Sequence, residues 1–161
     1  MYYPREAEKD HLYNRLILLT IACCVLLAFA FVARGSGVIY GAIHLSPTEV
    51  VGTVVQIERF EKNSRFATIH YTYTDHDGQV HENSYFDAYY DEHPAYDVGG
   101  PIDIQYSAWF PSVSSLSSAL HTYRMSFYIM ATALLLVLLF LGISAWTINR
   151  IASMKAEDRV Y

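Results

Sequence analysis

Five residues within one short stretch, Asp75, His76, Asp77, His81 and Glu82, carry the side chains best suited to chemistry. Imidazole and carboxylate together can ligate zinc or manganese. Asp77-Gly78 lies among them and signals a tight hairpin, because glycine accepts a positive φ there. Such a hairpin can carry His76 toward His81. The same residues also suit a solvated turn whose aspartates bond their own backbone. No spaced ligand motif accompanies them, so His76 and His81 are weak metal candidates and no cofactor is expected. Asp91-Glu92-His93 has no partner that spacing can place. A hydrolase needs a nucleophile, a base and an oxyanion site. The chain has no nucleophile elbow, zinc-protease motif or phosphate loop. A non-enzymatic protein is expected, and the enzyme alternative is a metal-assisted hydrolase using His76 and His81.

A second group, Tyr85, Phe86, Tyr89, Tyr90 and Tyr96, surrounds the acidic pair Asp91 and Glu92. Tyrosine presents a large face and a hydroxyl while losing little side-chain entropy, which suits a protein interface. These seven residues form the expected partner-binding surface. The competing reading places Tyr85 or Phe86 in a core and the loop tyrosines on lipid headgroups.

The elements that position both groups are a small β domain and two apolar runs that bracket it. Residues 16–33 and 125–148 contain no charged or imidazole residue. A helix rises about 1.5 Å per residue, so roughly 20 apolar residues cross a hydrocarbon core about 30 Å thick. The second run meets that length, and the first reaches it if the flanking Arg15 and Arg34 extend to the headgroups. The first run lacks a clean small-residue cleavage site and is expected to be an uncleaved anchor. Cys23 and Cys24 lie mid-run, point about 100° apart on a helix and cannot bridge each other without strain. They read as small hydrophobes.

The predicted organisation is a tail at 1–15, a span at 16–33, a linker at 34–46, a β domain at 47–112, a linker at 113–124, a span at 125–148 and a tail at 149–161. Within the domain, Val51, Thr53, Val55 and Ile57 alternate with Gly52, Val54, Gln56 and Glu58. Ala67, Ile69, Tyr71 and Tyr73 share one face of a second strand, and 79–86 return from the hairpin. Ile102, Ile104 and Tyr106 form the inward face of a last strand. About four strands in meander order, curled into a small barrel or half-barrel, are expected.

Charge excludes one class of partner and orients the chain. The segment between the runs has 5 basic residues against 11 acidic ones, a net of −6, whereas nucleic acid requires a basic surface. The two tails hold 6 basic residues in 28 positions, against 5 in the 91 positions between the runs. Both termini are therefore expected in the cytoplasm and the domain outside. Expected partners are the lipid bilayer and another envelope protein. Small residues Gly142, Ser144 and Ala145 in the second run also allow helix pairing, within the chain or as a homo-oligomer.

The order Val51-Gly52-Thr53-Val54, Ile69-His70-Tyr71-Thr72-Tyr73, Asp77-Gly78, Val98-Gly99, Ile102-Asp103-Ile104-Gln105-Tyr106 and Pro111 with Ser115-Leu116 resembles a known family. It is similar to the bacterial two-pass membrane family called domain of unknown function 3592, over roughly residues 15–150. The resemblance implies a bacterial inner (plasma) membrane protein with an extracytoplasmic β domain, and implies no catalytic residues. Members commonly place proline and asparagine where this chain has Ala108 and Phe110, so its strand exit is expected to differ. The function this reading supports is a membrane-anchored protein whose β domain binds an envelope protein or serves a membrane complex. An immunity protein against a periplasm-acting toxin is the alternative in the binding class.

Overall fold

The computed structural model describes residues 4–59, 65–90 and 96–157. Two long apolar helices, α1 (Pro4–Leu45) and α2 (Leu120–Glu157), flank an antiparallel five-stranded sheet. The strands are β1 (Pro47–Arg59), β2 (Ala67–Thr74), β3 (Val80–Asp87), β4 (Pro101–Ser107) and β5 (Ser114–Leu116). The chain divides into two compact units, 1–35 with 128–161, and 36–127.

In the first unit the two helices are long and apolar enough to cross a membrane, with windows of mean hydropathy 3.0 and 2.4. Most of their large apolar side chains point away from the chain itself: Leu18, Phe31, Val32, Leu135 and Leu138 are all exposed. The small or mid-sized residues Ala30, Ala33, Ala133 and Val137 are buried instead. The described parts of both tails lie at the same end of this helix pair. Arg150 donates to Glu8 at 2.6 Å, and the guanidinium groups of Arg15 and Arg150 lie 5.7 and 5.8 Å from the Trp146 ring centroid.

In the second unit the sheet order is β3-β2-β1-β4-β5, which corrects the meander expectation. The chain runs β1-β2-β3 by hairpins and then returns so that β4 pairs with the free edge of β1, Pro47 opposite Ser107. A fifth strand, β5, pairs Leu116 with Ile104 within the stretch expected to be a linker. The sheet curls until its edges meet. Asn83 of β3 donates to Ser114 Oγ of β5 at 3.0 Å, and the Tyr71 hydroxyl bonds the same oxygen at 3.1 Å. The result is a half-barrel whose concave side holds the core.

Alternation selects that core. Ala67, Ile69, Tyr71 and Tyr73 point inward from β2, as do Ile102, Ile104 and Tyr106 from β4. In β1 the inward residues are Gly52 and Val54, and then Ile57 on the far side of a bulge between Val54 and Gln56. The added residue shifts the phase of alternation, so one strand presents two different sets of positions to the core.

The segment 34–46, expected as a linker, is the final stretch of α1 through Leu45. Gly35-Ser36-Gly37 reads as flexible by composition, yet Gly37, together with Gly41, serves close packing. A Cβ on Gly37 would lie 3.1 Å from the Ser126 carbonyl oxygen and 3.3 Å from Phe127 Cα; one on Gly41 would lie 2.9 Å from the Phe127 ring. Gly37 and Gly41 are four apart and share one helix face, the spacing that lets two backbones approach.

Candidate functional site

The hairpin chemistry resolves into two separate pairs. Asp75 directly follows β2, with its side chain only 2% exposed, and its Oδ2 lies 2.7 Å from His81 Nε2 on β3. Its other oxygen accepts from the backbone N–H groups of Asp77 and Gln79, each at 2.9 Å. Gly78 completes the turn at φ +81°. The His81 ring stacks on Tyr73, with centroids 5.4 Å apart, and Tyr73 packs in turn on Tyr106. His76 instead faces Asp77 at 3.4 Å on the solvent side. The hairpin therefore engages His81 in a structural clasp and sends His76 elsewhere. No group of three or more metal-ligating side chains forms among the described residues.

The clasp has a pH consequence. The hydrogen bond from His81 holds the Asp75 carboxyl below its ordinary value, aided by the two backbone N–H groups, while burial opposes. A depressed carboxylate stabilises the fold above its unfolded pKa of about 3.9 and loses that contribution as pH falls through the folded value. The urea midpoint of the full chain in detergent is therefore expected to drop more steeply below about pH 4 than that of Asp75→Asn. Parallel pH profiles for the two proteins would contradict this assignment.

The aromatic group is dispersed across three environments. Tyr90 is 5% exposed and belongs to the core, which removes it from the expected binding surface. Its N–H bonds the Arg65 carbonyl at 2.9 Å, and its ring and hydroxyl receive Arg59. Tyr85 and Tyr96 are partly buried and pack against the same core. Only Phe86 and Tyr89 stand well out, at 52% and 60% exposure, and the Phe86 ring tilts against Phe66. Asp91 and Glu92 lie outside the described residues.

Three of these tyrosines nevertheless converge. Tyr85, Tyr89 and Tyr96 line a cleft of about 330 Å³ together with Asp87, Ser118, Ala119, His121 and Thr122. Asp87 closes β3, and its Oδ1 accepts the Tyr89 N–H at 2.8 Å, fixing the turn that places Tyr89 at the rim. His121 Nδ1 lies 2.8 Å from the Ser118 carbonyl, and the Thr122 hydroxyl donates to the Ala119 carbonyl at 2.7 Å. Both bonds tie the wall to the first turn of α2. The Tyr85 hydroxyl is pushed up to about 12, first by burial and then by the Asp87 charge, so it stays protonated.

The sequence reading missed Asp87, Ser118, His121 and Thr122 as wall residues. The serine-rich approach to α2 looks like a tether, and β5 is three residues long, too short to show a period. The one signal was Ser115-Leu116, noted for its family resemblance. Trp109 and Phe110, exposed at the exit from β4, were also passed over.

Comparison of the chain with protein families, with curated proteins and with solved structures finds no match.

Proposed function

We propose that this chain is a two-pass protein of the bacterial inner membrane, with both termini in the cytoplasm and a β head outside that binds another envelope protein. The observation that carries the reading is the outward-facing apolar surface of both helices, including Leu18, Phe31, Val32, Leu135 and Leu138. Exposed to water, each such side chain would forgo roughly 1.5–3 kcal/mol of burial; lipid covers them all at once. Both tails at one end of the helix pair, with Trp146 and two arginines there, suit an interface between lipid and water. The likeness to the two-pass family of unknown function points the same way.

The head fits a binding role better than a catalytic one. His81 is already engaged by Asp75, and the head exposes the aromatic residues Phe86, Tyr89, Trp109 and Phe110 on a segment of net acidic charge. Anchoring concentrates the head at the membrane surface and raises its encounter rate with partners held there. The acidic character favours a basic partner and makes association salt-sensitive. The lipid bilayer and the envelope protein are the partners of this reading, with self-association through the helices a further route.

The chain is expected to pellet with membranes, resist an alkaline wash and dissolve in detergent. Protease added to sealed spheroplasts should cut within 47–112 and spare both tails. A chain that remains in the high-speed supernatant, or tails cut while the head survives, would refute the topology. Photo-crosslinkers placed at Phe86 should capture a membrane-protein partner in native membranes, in a salt-dependent manner.

A further inference from the structure

We propose that the cleft walled by Tyr85, Asp87, Tyr89 and Tyr96 receives the ammonium end of a lysine side chain from another protein. The inference rests on the reading of the head as a binding module and names the chemistry its partner must offer.

Asp87 is the deciding residue. It is only 3% exposed, yet it lines the cleft. Its carboxylate accepts one bond, from the Tyr89 N–H, and among the described residues it forms no salt bridge. A buried carboxylate without a cation is costly, and an entering cation offsets that cost. Asp75, the other buried aspartate described, has its imidazole and two N–H donors. The contrast between the two is that of a filled and an unfilled requirement.

The walls suit the same ligand. Tyrosine faces attract cations through the ring quadrupole, and three tyrosines line the same cleft as this carboxylate. His121 donates Nδ1–H to the Ser118 carbonyl when neutral, which leaves Nε2 as an acceptor. The protonated Tyr85 hydroxyl and those of Ser118 and Thr122 complete a wall with oxygen lone pairs for an N–H donor. The volume, about 330 Å³, sits at the lower end of ligand-sized cavities.

Two rival cations fit less well. A divalent metal needs several hard ligands, and no group of three or more His, Cys, Asp or Glu forms among the described residues. An amino-lipid headgroup carries a phosphate beside its ammonium. Among the described residues no lysine or arginine lines the cleft to hold that phosphate, and Asp87 would repel it. A lysine side chain brings the positive charge alone, on an apolar stem that can lie along the tyrosine faces.

The test uses the full chain in detergent micelles, with tyrosine ring NMR signals as the readout. Nα-acetyl-lysine methylamide should shift the rings of Tyr85, Tyr89 and Tyr96 saturably, and its Nε-acetylated, neutral counterpart should not. Asp87→Asn keeps an oxygen acceptor for the Tyr89 N–H and is expected to weaken binding at least about tenfold. Tyr89→Leu, at an exposed position outside the core, should weaken it while leaving the fold intact. Equal shifts by the neutral compound, or unchanged affinity in both variants, would overturn the assignment. Tighter binding of phosphoethanolamine than of the lysine compound would overturn it in favour of a lipid headgroup. In membranes, Asp87→Asn should abolish the crosslinks made from Tyr89. If crosslinks from both Tyr89 and Phe86 persist in that variant, the head still binds a partner and only the lysine site falls. If the wild-type head yields none, the binding-module reading falls.

Discussion

Gly52→Ala is expected to destabilise the β head by about 3 kcal/mol, and Gly52→Val to prevent its folding. Gly52 sits in the middle of β1, the central strand, paired with Ile102 on β4. An added Cβ would lie 2.3 Å from Ile104 Cδ1 and 2.6 Å from the Thr72 carbonyl oxygen. The isoleucine tip can rotate, but Ile104 is fully buried and has little room. The carbonyl belongs to the β1–β2 ladder and cannot retreat without breaking the sheet. Strand glycines usually weaken a sheet, and this one is tolerated because the β2 backbone and the side chains of Ile104 and Tyr73 crowd the place a Cβ would take. Urea unfolding of the full chain in detergent, followed by tyrosine fluorescence, gives the measurement. An alanine variant as stable as the wild type would show that the sheet packs less tightly at this crossing than described.

Tyr71 offers the second large effect, and one that can be divided in two. Its side chain is fully buried, and its hydroxyl bonds Ser114 Oγ, which also accepts from Asn83. Tyr71→Ala removes a ring from the centre of the half-barrel and is expected to cost about 4 kcal/mol. Tyr71→Phe keeps the ring and removes only the hydroxyl, at about 1 kcal/mol. Burial pushes the Tyr71 hydroxyl up to about 12, with the Ser114 bond opposing, so the group is neutral over the working range. Neither loss should therefore change between about pH 6 and 9. A phenylalanine variant as damaged as the alanine one would mean that the edge-closing bond, and not the ring, dominates.

Periodicity made part of this molecule legible and hid the rest for identifiable reasons. The inward faces of β2 and β4 follow from strict alternation, and Asp77-Gly78 announced its turn because few other residues accept that φ. The two long helices follow from apolar length. In β1 the bulge after Val54 breaks the alternation, so no single phase describes the strand. The strand order escaped because pairing of β1 with β4 joins residues some fifty positions apart, and no local pattern records it. Gly37 and Gly41 were hidden by composition: glycine beside serine suggests a tether, whereas four-residue spacing on a helix suggests a seam. Among the aromatic residues, type alone could not separate Tyr90, which fills the core, from Tyr89, which rims the cleft. Asp87 was passed over because its significance lies in the missing countercharge, a property of three-dimensional surroundings.

The position of β1 at the centre of the sheet also dictates an order of events during synthesis. The hairpins β1-β2-β3 are complete once residue 87 has emerged, but β1 keeps one bare edge until β4 arrives through residue 107. At roughly 5–20 residues per second, the nascent chain carries that open edge for about 1–4 seconds. Such an edge is a template for mispairing with any other extended strand. A chaperone that shields unpaired strands during synthesis would act on this chain in that interval, and a ribosomal pause between codons 87 and 107 would lengthen its exposure.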